Sequence, residues 1–177
     1  MRARRPLHAL TAAGAAAHHA FELAAGVGLV FQPDLGLAGA SAFWAVTLPG
    51  WFGLAVRPGR APERLLAFLA GMSAAAGAVH YVLWPVRIRG GLPWLVEAEG
   101  LRPQHLPAYN AVLYLWTLSA VTAVAVETPP SERRWAVPGA LTAALLSAGV
   151  RRHFRWVREQ ARTHPAWWNR ALAEAAG

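Results

Sequence analysis

The stretch "LTAAGAAAHHAFELAAGVGLVF", residues 10–31, decides how this chain folds. Together with the preceding residues it forms an apolar run over 7–31, which is long enough to cross a bilayer as one helix. Two histidines and a glutamate, His18, His19 and Glu22, interrupt the run near its centre. Because ionisable side chains are costly inside a membrane and usually serve a function there, the run predicts a membrane helix that carries a site.

The composition of the whole chain also points to a membrane. Of its 177 residues 55% are hydrophobic, and the mean hydropathy is +0.28. Soluble domains contain less apolar material than this. All 17 basic residues are arginine, and alanine, glycine and proline abound, a bias typical of a GC-rich bacterial genome. We therefore expect a multi-pass protein of the bacterial inner membrane.

Charge and cysteine content exclude several classes of function. The net charge is +8, but the arginines stand beside apolar segments, so they are better explained by contacts with anionic lipid head groups than by nucleic acid. The chain contains no cysteine, which excludes disulfides, a thiolate nucleophile and iron–sulfur clusters. Any metal would need histidine and carboxylate ligands. The oligomeric state is left open.

An all-α polytopic bundle over residues 1–150, followed by a basic tail over 151–177, is the predicted fold. Five segments approach or reach the length of a membrane span: 7–31, 35–56, 65–86, 106–126 and 135–150. The last is short and contains Pro138, so four spans are the alternative. A cleaved signal peptide is a second alternative for the first segment, but its apolar character continues to Phe31 and favours retention. Gly14 and Gly71 are small enough for close helix packing.

Arginine counts leave the orientation open. With five spans, one side of the membrane carries eight arginines, at positions 2, 4, 5, 57, 60, 64, 133 and 134. The other side carries nine, at positions 87, 89 and 102 and six in the tail. That division is nearly even. With four spans the tail joins the first side, so charge favours four spans whereas hydrophobicity favours five.

Two further segments invite an interpretation. The loop over 87–105 is long for a connector and rich in glycine and proline, which is typical of lids or binding loops, and Trp94 with Leu92 and Leu95 is expected to dip into the interface. In the tail, arginines at 151, 155, 158 and 162 share one helical face, and Phe154, Val157 and Ala161 share another. That pattern predicts either an interfacial amphipathic helix or a solvated basic tail.

The polar residues of several segments are predicted to meet in one half of the membrane. His18 and His19 precede Glu22 by four and three positions, so the three share a helical face. Counting along each helix towards the face that bears the 87–105 loop puts Glu22 roughly 13 Å deep, His80 roughly 9 Å and Trp44 roughly 13 Å. On the fourth segment Asn110, Tyr114 and Thr117 share one face. Tyr109 and Trp84 are assigned to the aromatic belt.

This convergence suggests a pocket for a lipophilic, isoprenoid- or lipid-like molecule. The predicted catalytic residues are Glu22, His80, His18 and His19, with Glu22 and His80 as acid or base, and the predicted substrate-binding residues are Trp44, Asn110, Tyr114 and Thr117. Such a set suits an isomerase or cyclase that needs no cofactor. The alternatives are a His/Glu metal-site protein using His18, His19, Glu22 and His80, and a non-enzymatic membrane subunit or binding protein.

The His-x-x-x-Glu spacing of His18 and Glu22 within a membrane helix resembles an element of the sterol-isomerase-like emopamil-binding family. Members of that family are small helical bundles that act on sterols with intramembrane acids. The resemblance therefore implies an isomerase with Glu22 as its acid. It covers five residues, and the sequence departs from the family where an Asn-x-x-Trp is expected, since Asn110 is followed by Trp116.

Overall fold

The computed structural model describes residues 5–57, 62–98 and 100–174, and over these ranges the chain is all-helical apart from one small hairpin. Positions 2, 4 and 60 of the charge count lie outside the described residues. The seven α helices of this part are α1 Pro6–Ala25, α2 Gln32–Val56, α3 Glu63–Leu83, α4 Leu106–Thr122, α5 Ala136–Ser147, α6 Val150–Thr163 and α7 Arg170–Glu174. A π turn, Ala123–Glu127, continues α4, and the strands are β1 Val86–Arg89 and β2 Leu92–Leu95.

Helix α1 is shorter than predicted. It begins at Pro6, where the Glu127 carboxylate accepts hydrogen bonds from the backbone N–H groups of Leu7 and His8, at 2.8 and 3.0 Å. These bonds satisfy donors that every helix start leaves free. It ends at Ala25 and not at Phe31, because Gly26 adopts a left-handed conformation with φ +82° and stops the helix.

Three helical segments are long and apolar enough to cross a membrane: Gln32–Val56, Glu63–Leu83 and Pro103–Glu127. They correspond to the second, third and fourth predicted spans. Helix α1 is not among them, since its own histidines and glutamate lower its hydropathy. Helix α5 has 12 residues, about 18 Å of helix, so the fifth predicted span is shorter still than its sequence segment.

Glycines bring the helices into backbone contact. At Gly71 of α3 an added Cβ would overlap the backbone carbonyl of Ala136, and at Gly139 of α5 it would overlap that of Phe68. At Gly14 of α1 it would lie 2.9 Å from the Cα of Trp116 in α4. Gly14 and Gly71 therefore do permit close crossings, as the sequence predicts.

The two ends of α5 lie at opposite ends of the bundle. Just before α5, Glu132 accepts a hydrogen bond from Arg64, which belongs to the first turn of α3. Just after it, Arg152 donates to Asp34 in the first turn of α2, at 2.6 Å. Because α2 and α3 begin at opposite ends of the bundle, α5 runs parallel to α3 along its length.

The 87–105 segment forms a hairpin in its first half, and its second half contributes Ala98 and Leu101 to the wall of the cavity described below. Its first half is an antiparallel hairpin in which Val86 pairs with Leu95 and Arg89 with Leu92, and Gly90 and Gly91 supply the positive φ angles, 57° and 80°, of its two-residue turn. Leu95 is fully buried in the protein core and does not reach an interface. The hairpin packs at the end of α3.

The apolar face of the tail helix α6 packs on protein. Phe154, Val157 and Ala161 form a buried cluster with Val27 and Leu172, so this face is not available to a bilayer. The prediction of an interfacial helix is wrong in this respect, because its stripe is used to close the bundle. The arginines at 151, 152, 155, 158 and 162 stay on its exposed face.

Candidate functional site

Glu22 is the centre of a cluster formed by three helices. Its Oε1 accepts a hydrogen bond of 2.7 Å from the hydroxyl of Tyr109 on α4. Its Oε2 lies 3.4 Å from Nε2 of His18, one turn earlier on α1, and its Oε1 lies 4.0 Å from Nε2 of His80 on α3. The predicted meeting of Glu22 with His80 and His18 is therefore present in the structure.

The helix ends explain why these residues meet. Glu22 precedes the end of α1 by three residues, His80 precedes the end of α3 by three, and Tyr109 follows the start of α4 by three. At 1.5 Å per residue all three lie at the same level, about 4.5 Å inside their helix ends. The predicted depth of roughly 13 Å for Glu22 was too large, because it assumed that α1 continues to Phe31.

Backbone hydrogen bonds fix two of the histidine rings. Nδ1 of His80 lies 2.8 Å from the carbonyl oxygen of Ala76, and Nδ1 of His19 lies 2.8 Å from that of Ala15. A carbonyl only accepts, so Nδ1 carries the proton in both rings, and in a neutral ring Nε2 keeps its lone pair. For His80 that lone pair is on the side of Glu22.

Tryptophan rings pack against two of the histidine rings. Trp116 stacks on His18 with the ring centroids 4.8 Å apart and the planes at 23°. His18 also meets the His80 ring edge to face at 5.0 Å. His19 packs instead on Trp44, at 3.8 Å, and stays outside the group around Glu22.

A cavity of about 470 Å³ adjoins the cluster. Its walls carry Glu22 and the three histidines, and the remaining lining is mostly apolar and aromatic, with Phe31, Phe43, Trp44, Trp51, Trp84, Tyr109, Trp116 and Phe154. Phe31 is the one non-glycine residue of the described chain with a positive φ, 71°. That angle turns the chain between α1 and α2 and places the Phe31 ring parallel to Trp44, 5.9 Å away.

At its outer end the cavity is bordered by α6. Arg152 and Asp34, the ion pair between α6 and α2, belong to its rim, and so does His153. Burial lowers the pKa of His153, while the charge of Glu22 and a hydrogen bond to the backbone of Val27 act in the opposite direction. His153 is thus a fourth histidine of the site, which its position in a basic tail did not suggest.

Three predicted substrate-binding residues do not line the cavity. Asn110 binds the hairpin: its Oδ1 accepts from the N–H of Leu95 at 2.9 Å, and its Nδ2 donates to the carbonyls of Leu95 and Leu106. Tyr114 donates to the carbonyl of Pro93. Thr117 lies where α4 crosses Gly77 of α3. Trp44 does line the cavity, as predicted.

The face of α4 that reaches the cavity carries Tyr109 and Trp116 instead. These residues are seven positions apart and therefore share a face, by the same rule that joined Asn110 to Thr117. Helix α4 thus carries two such faces, one with Asn110 and Thr117 and the other, offset by one residue, with Tyr109 and Trp116. Assigning Tyr109 to an aromatic belt was wrong, since only 2% of its surface is exposed.

His18, Glu22 and His80 also form a group of possible metal ligands. Each offers one ligand atom, and these atoms all lie within 4.8 Å of one another. His19, also considered as a ligand from the sequence, is not part of this group in the described chain.

No protein-family model matches the chain, and no solved structure shows a significant similarity to it. The resemblance to the emopamil-binding family therefore stays confined to its five residues.

Proposed function

We propose that this protein binds a lipophilic, isoprenoid- or lipid-like small molecule within the membrane and acts on it by acid–base chemistry, as an isomerase or cyclase. One observation carries the proposal: a single carboxylate, Glu22, lies among His18, His80 and Tyr109 at the wall of an aromatic cavity of about 470 Å³. Cavities of this size suit small ligands, and apolar walls with few convergent polar groups are typical of binding sites.

Each part of the cluster has a role in this chemistry. Glu22 is the group that gives and takes the proton, and the Tyr109 hydroxyl, at 2.7 Å, holds one of its oxygens in place. The second oxygen stays next to His18, which returns the proton. His80, on the other side, is the second acid or base. His19 is set apart from this exchange by its contact with Trp44.

The aromatic lining supports a reaction with a positively charged intermediate. Protonation of a carbon–carbon double bond leaves a carbocation, and the faces of Trp and Tyr rings attract cations. Trp44 and Trp116 both belong to the cavity wall and both contact a histidine of the site. A lipophilic substrate with a double bond near Glu22 fits this lining.

The surroundings of the cavity support a membrane location, proposed as the bacterial inner membrane. Large apolar residues are exposed on all four helices α2 to α5, including Val46 at 75%, Val82 at 81% and Leu145 at 77%. We propose five crossings, because α5 runs between opposite ends of the bundle and exposes Val137, Leu141 and Leu145 along one stripe. The exposed arginines of α6 would then bind anionic lipid head groups.

The test uses the full chain purified from bacterial membranes in detergent. Native mass spectrometry with solvent extraction identifies any lipophile that copurifies, and transfer of the sample into D₂O then reports exchange of its C–H hydrogens. We expect one bound lipophile per chain with deuterium incorporated in the wild type. In Glu22→Gln incorporation should fall at least tenfold, whereas the exposed control Glu159→Gln should match the wild type.

Other outcomes would redirect the proposal. A bound lipophile without deuterium exchange in any variant would identify a binding protein and exclude the acid–base role. If nothing lipophilic copurifies, and Glu22→Gln only lowers the unfolding temperature, then Glu22, His18 and Tyr109 merely join helices and the proposal fails.

A further inference from the structure

We infer that the group of His18, Glu22 and His80 binds a divalent first-row transition-metal ion. This inference rests on the proposed function and names the cofactor that would take part in its proton transfer. Two imidazoles and one carboxylate are a ligand set that holds Zn²⁺ or Fe²⁺ in enzymes and leaves coordination positions open.

The spacing of the ligand atoms suits a metal ion. Bonds of about 2.1 Å in tetrahedral geometry put ligand atoms about 3.4 Å apart. Nε2 of His18 lies 3.4 Å from Oε2 of Glu22, and Nε2 of His80 lies 4.0 Å from Oε1. All three ligand atoms lie within 4.8 Å of one another, so side-chain rotations would have to shorten these distances to about 3.4 Å.

The groups behind the ligands support the same assignment. Metal-bound histidines usually donate their other ring N–H to a carbonyl, and His80 does so to Ala76 at 2.8 Å. Ligating carboxylates are usually hydrogen-bonded too, and Tyr109 provides that bond at 2.7 Å. Trp116, stacked on His18, fixes the plane of the third ligand.

Burial gives a further reason. Side-chain exposure is 4% for His18, 14% for Glu22 and 18% for His80, so a carboxylate here is largely removed from water. A divalent ion compensates such a charge. The small remaining exposure is towards the cavity, where the open coordination positions would meet a water molecule and the substrate.

The metal would supply the acid of the proposed reaction. With the ion bound, Glu22, His18 and His80 would hold it as ligands, and a water on an open coordination position would take over the proton transfer described above for Glu22 and His80. That water would give one proton to the substrate and take one back from carbon when the product forms. No oxidant or reductant is consumed.

Metal content and spectroscopy of the detergent-solubilised full chain test this inference. The protein is dialysed against a chelator, loaded with Zn²⁺, washed and analysed by elemental mass spectrometry, and a second sample is titrated with Co²⁺. We expect one Zn²⁺ per chain and, with Co²⁺, visible absorption bands typical of four or five ligands. Glu22→Gln and His80→Gln should each weaken Zn²⁺ binding more than tenfold.

The control is His19→Gln, which removes the neighbouring histidine that lies outside the group. It should bind Zn²⁺ as the wild type does. Less than a tenth of an equivalent of Zn²⁺ on the wild type, or equal binding by wild type and His80→Gln, would overturn the inference. Because Co²⁺ spectra of the wild type alone report the ligands, a variant that fails to fold does not obscure the result.

Lipophile retention measured on the metal-free wild type separates this inference from the proposed function. A bound lipophile together with no metal binding would refute the metal site alone. Metal binding without any lipophile would refute the proposed function and leave the metal site standing.

Discussion

Asn110 shows how a single residue can mislead a sequence-based prediction. A polar side chain in an apolar helix indicates a partner, and the sequence correctly predicts that Asn110 has one. It does not tell whether the partner is a ligand or the protein's own backbone. Here the partner is the outer edge of β2, and the hairpin that presents this edge depends on Gly90 and Gly91, which the sequence indicates only as part of a lid or binding loop.

The structural role of Asn110 leads to a first prediction. Asn110→Leu keeps the branched shape of the side chain but leaves the N–H and C=O of Leu95 without partners, which should cost about 1 to 3 kcal/mol of unfolding free energy. Amide hydrogen exchange over 92–95 should accelerate, and lipophile binding should persist. Thr122→Val, which removes an exposed hydroxyl bonded within α4, serves as the control. Normal exchange in the hairpin of Asn110→Leu would contradict this role.

At the scale of elements, the sequence locates the helices well and their ends poorly. The second, third and fourth spans lie close to their predicted bounds, because apolar length determines them. The end of α1 depends on the left-handed conformation of Gly26, and glycine occurs too often in this chain for its conformation to be predicted from the sequence. This one boundary sets how far Glu22 lies from the end of α1.

Glycine crossings provide a second prediction. Gly139→Ala places a Cβ on the carbonyl of Phe68, so α3 and α5 must separate, at a cost of about 1 to 3 kcal/mol or more. Gly53→Ala, in α2, meets no atom within 4 Å and should stabilise the helix by roughly 0.5 to 1 kcal/mol. Unfolding midpoints in detergent compare the two. Equal midpoints for both variants would argue against the close crossing.

The attachment of α6 should depend on pH through His153. Since burial lowers the pKa of His153, the detached helix binds more protons than the packed one, and acidification below about pH 6.5, the usual histidine value, favours detachment. Amide exchange over 154–161, corrected for its intrinsic pH dependence, should therefore accelerate between pH 7.5 and 5.5. His153→Gln should abolish this change, whereas the exposed His164→Gln should preserve it. A pH-independent exchange rate in the wild type would refute the prediction.

For the molecule as a whole, the sequence predicts a membrane bundle with its polar residues gathered at one end, and the structure agrees about Glu22, His18, His80 and Trp44. It could not predict His153 or Tyr109, because the first lies in a basic segment and the second among belt-like aromatics. The packing of Gly14 on Trp116 decides which of the two faces of α4 points inward, and this contact joins residues far apart in the chain.

The number of crossings can be measured because the chain has no cysteine. Three variants, each with one cysteine in place of Arg57, Ile88 or Arg155, can be labelled with a membrane-impermeant maleimide in vesicles of both orientations. We expect position 57 to react from one side and positions 88 and 155 from the other, which corresponds to five crossings. Labelling of 57 and 155 from the same side would establish four.

The bond between Tyr109 and Glu22 also has a consequence for biosynthesis. The two residues are 87 positions apart, so a ribosome needs roughly 4 to 17 s after completing Glu22 before it reaches Tyr109. During that interval the carboxylate of α1, the least apolar of the long helices, lacks its Tyr109 hydroxyl and has only histidine partners, His18 and then His80. We therefore expect α1 to remain with the insertion machinery until α4 emerges, and a chain truncated before residue 106, which α2 and α3 still hold in the membrane, to be degraded faster than the full chain in a pulse-chase experiment.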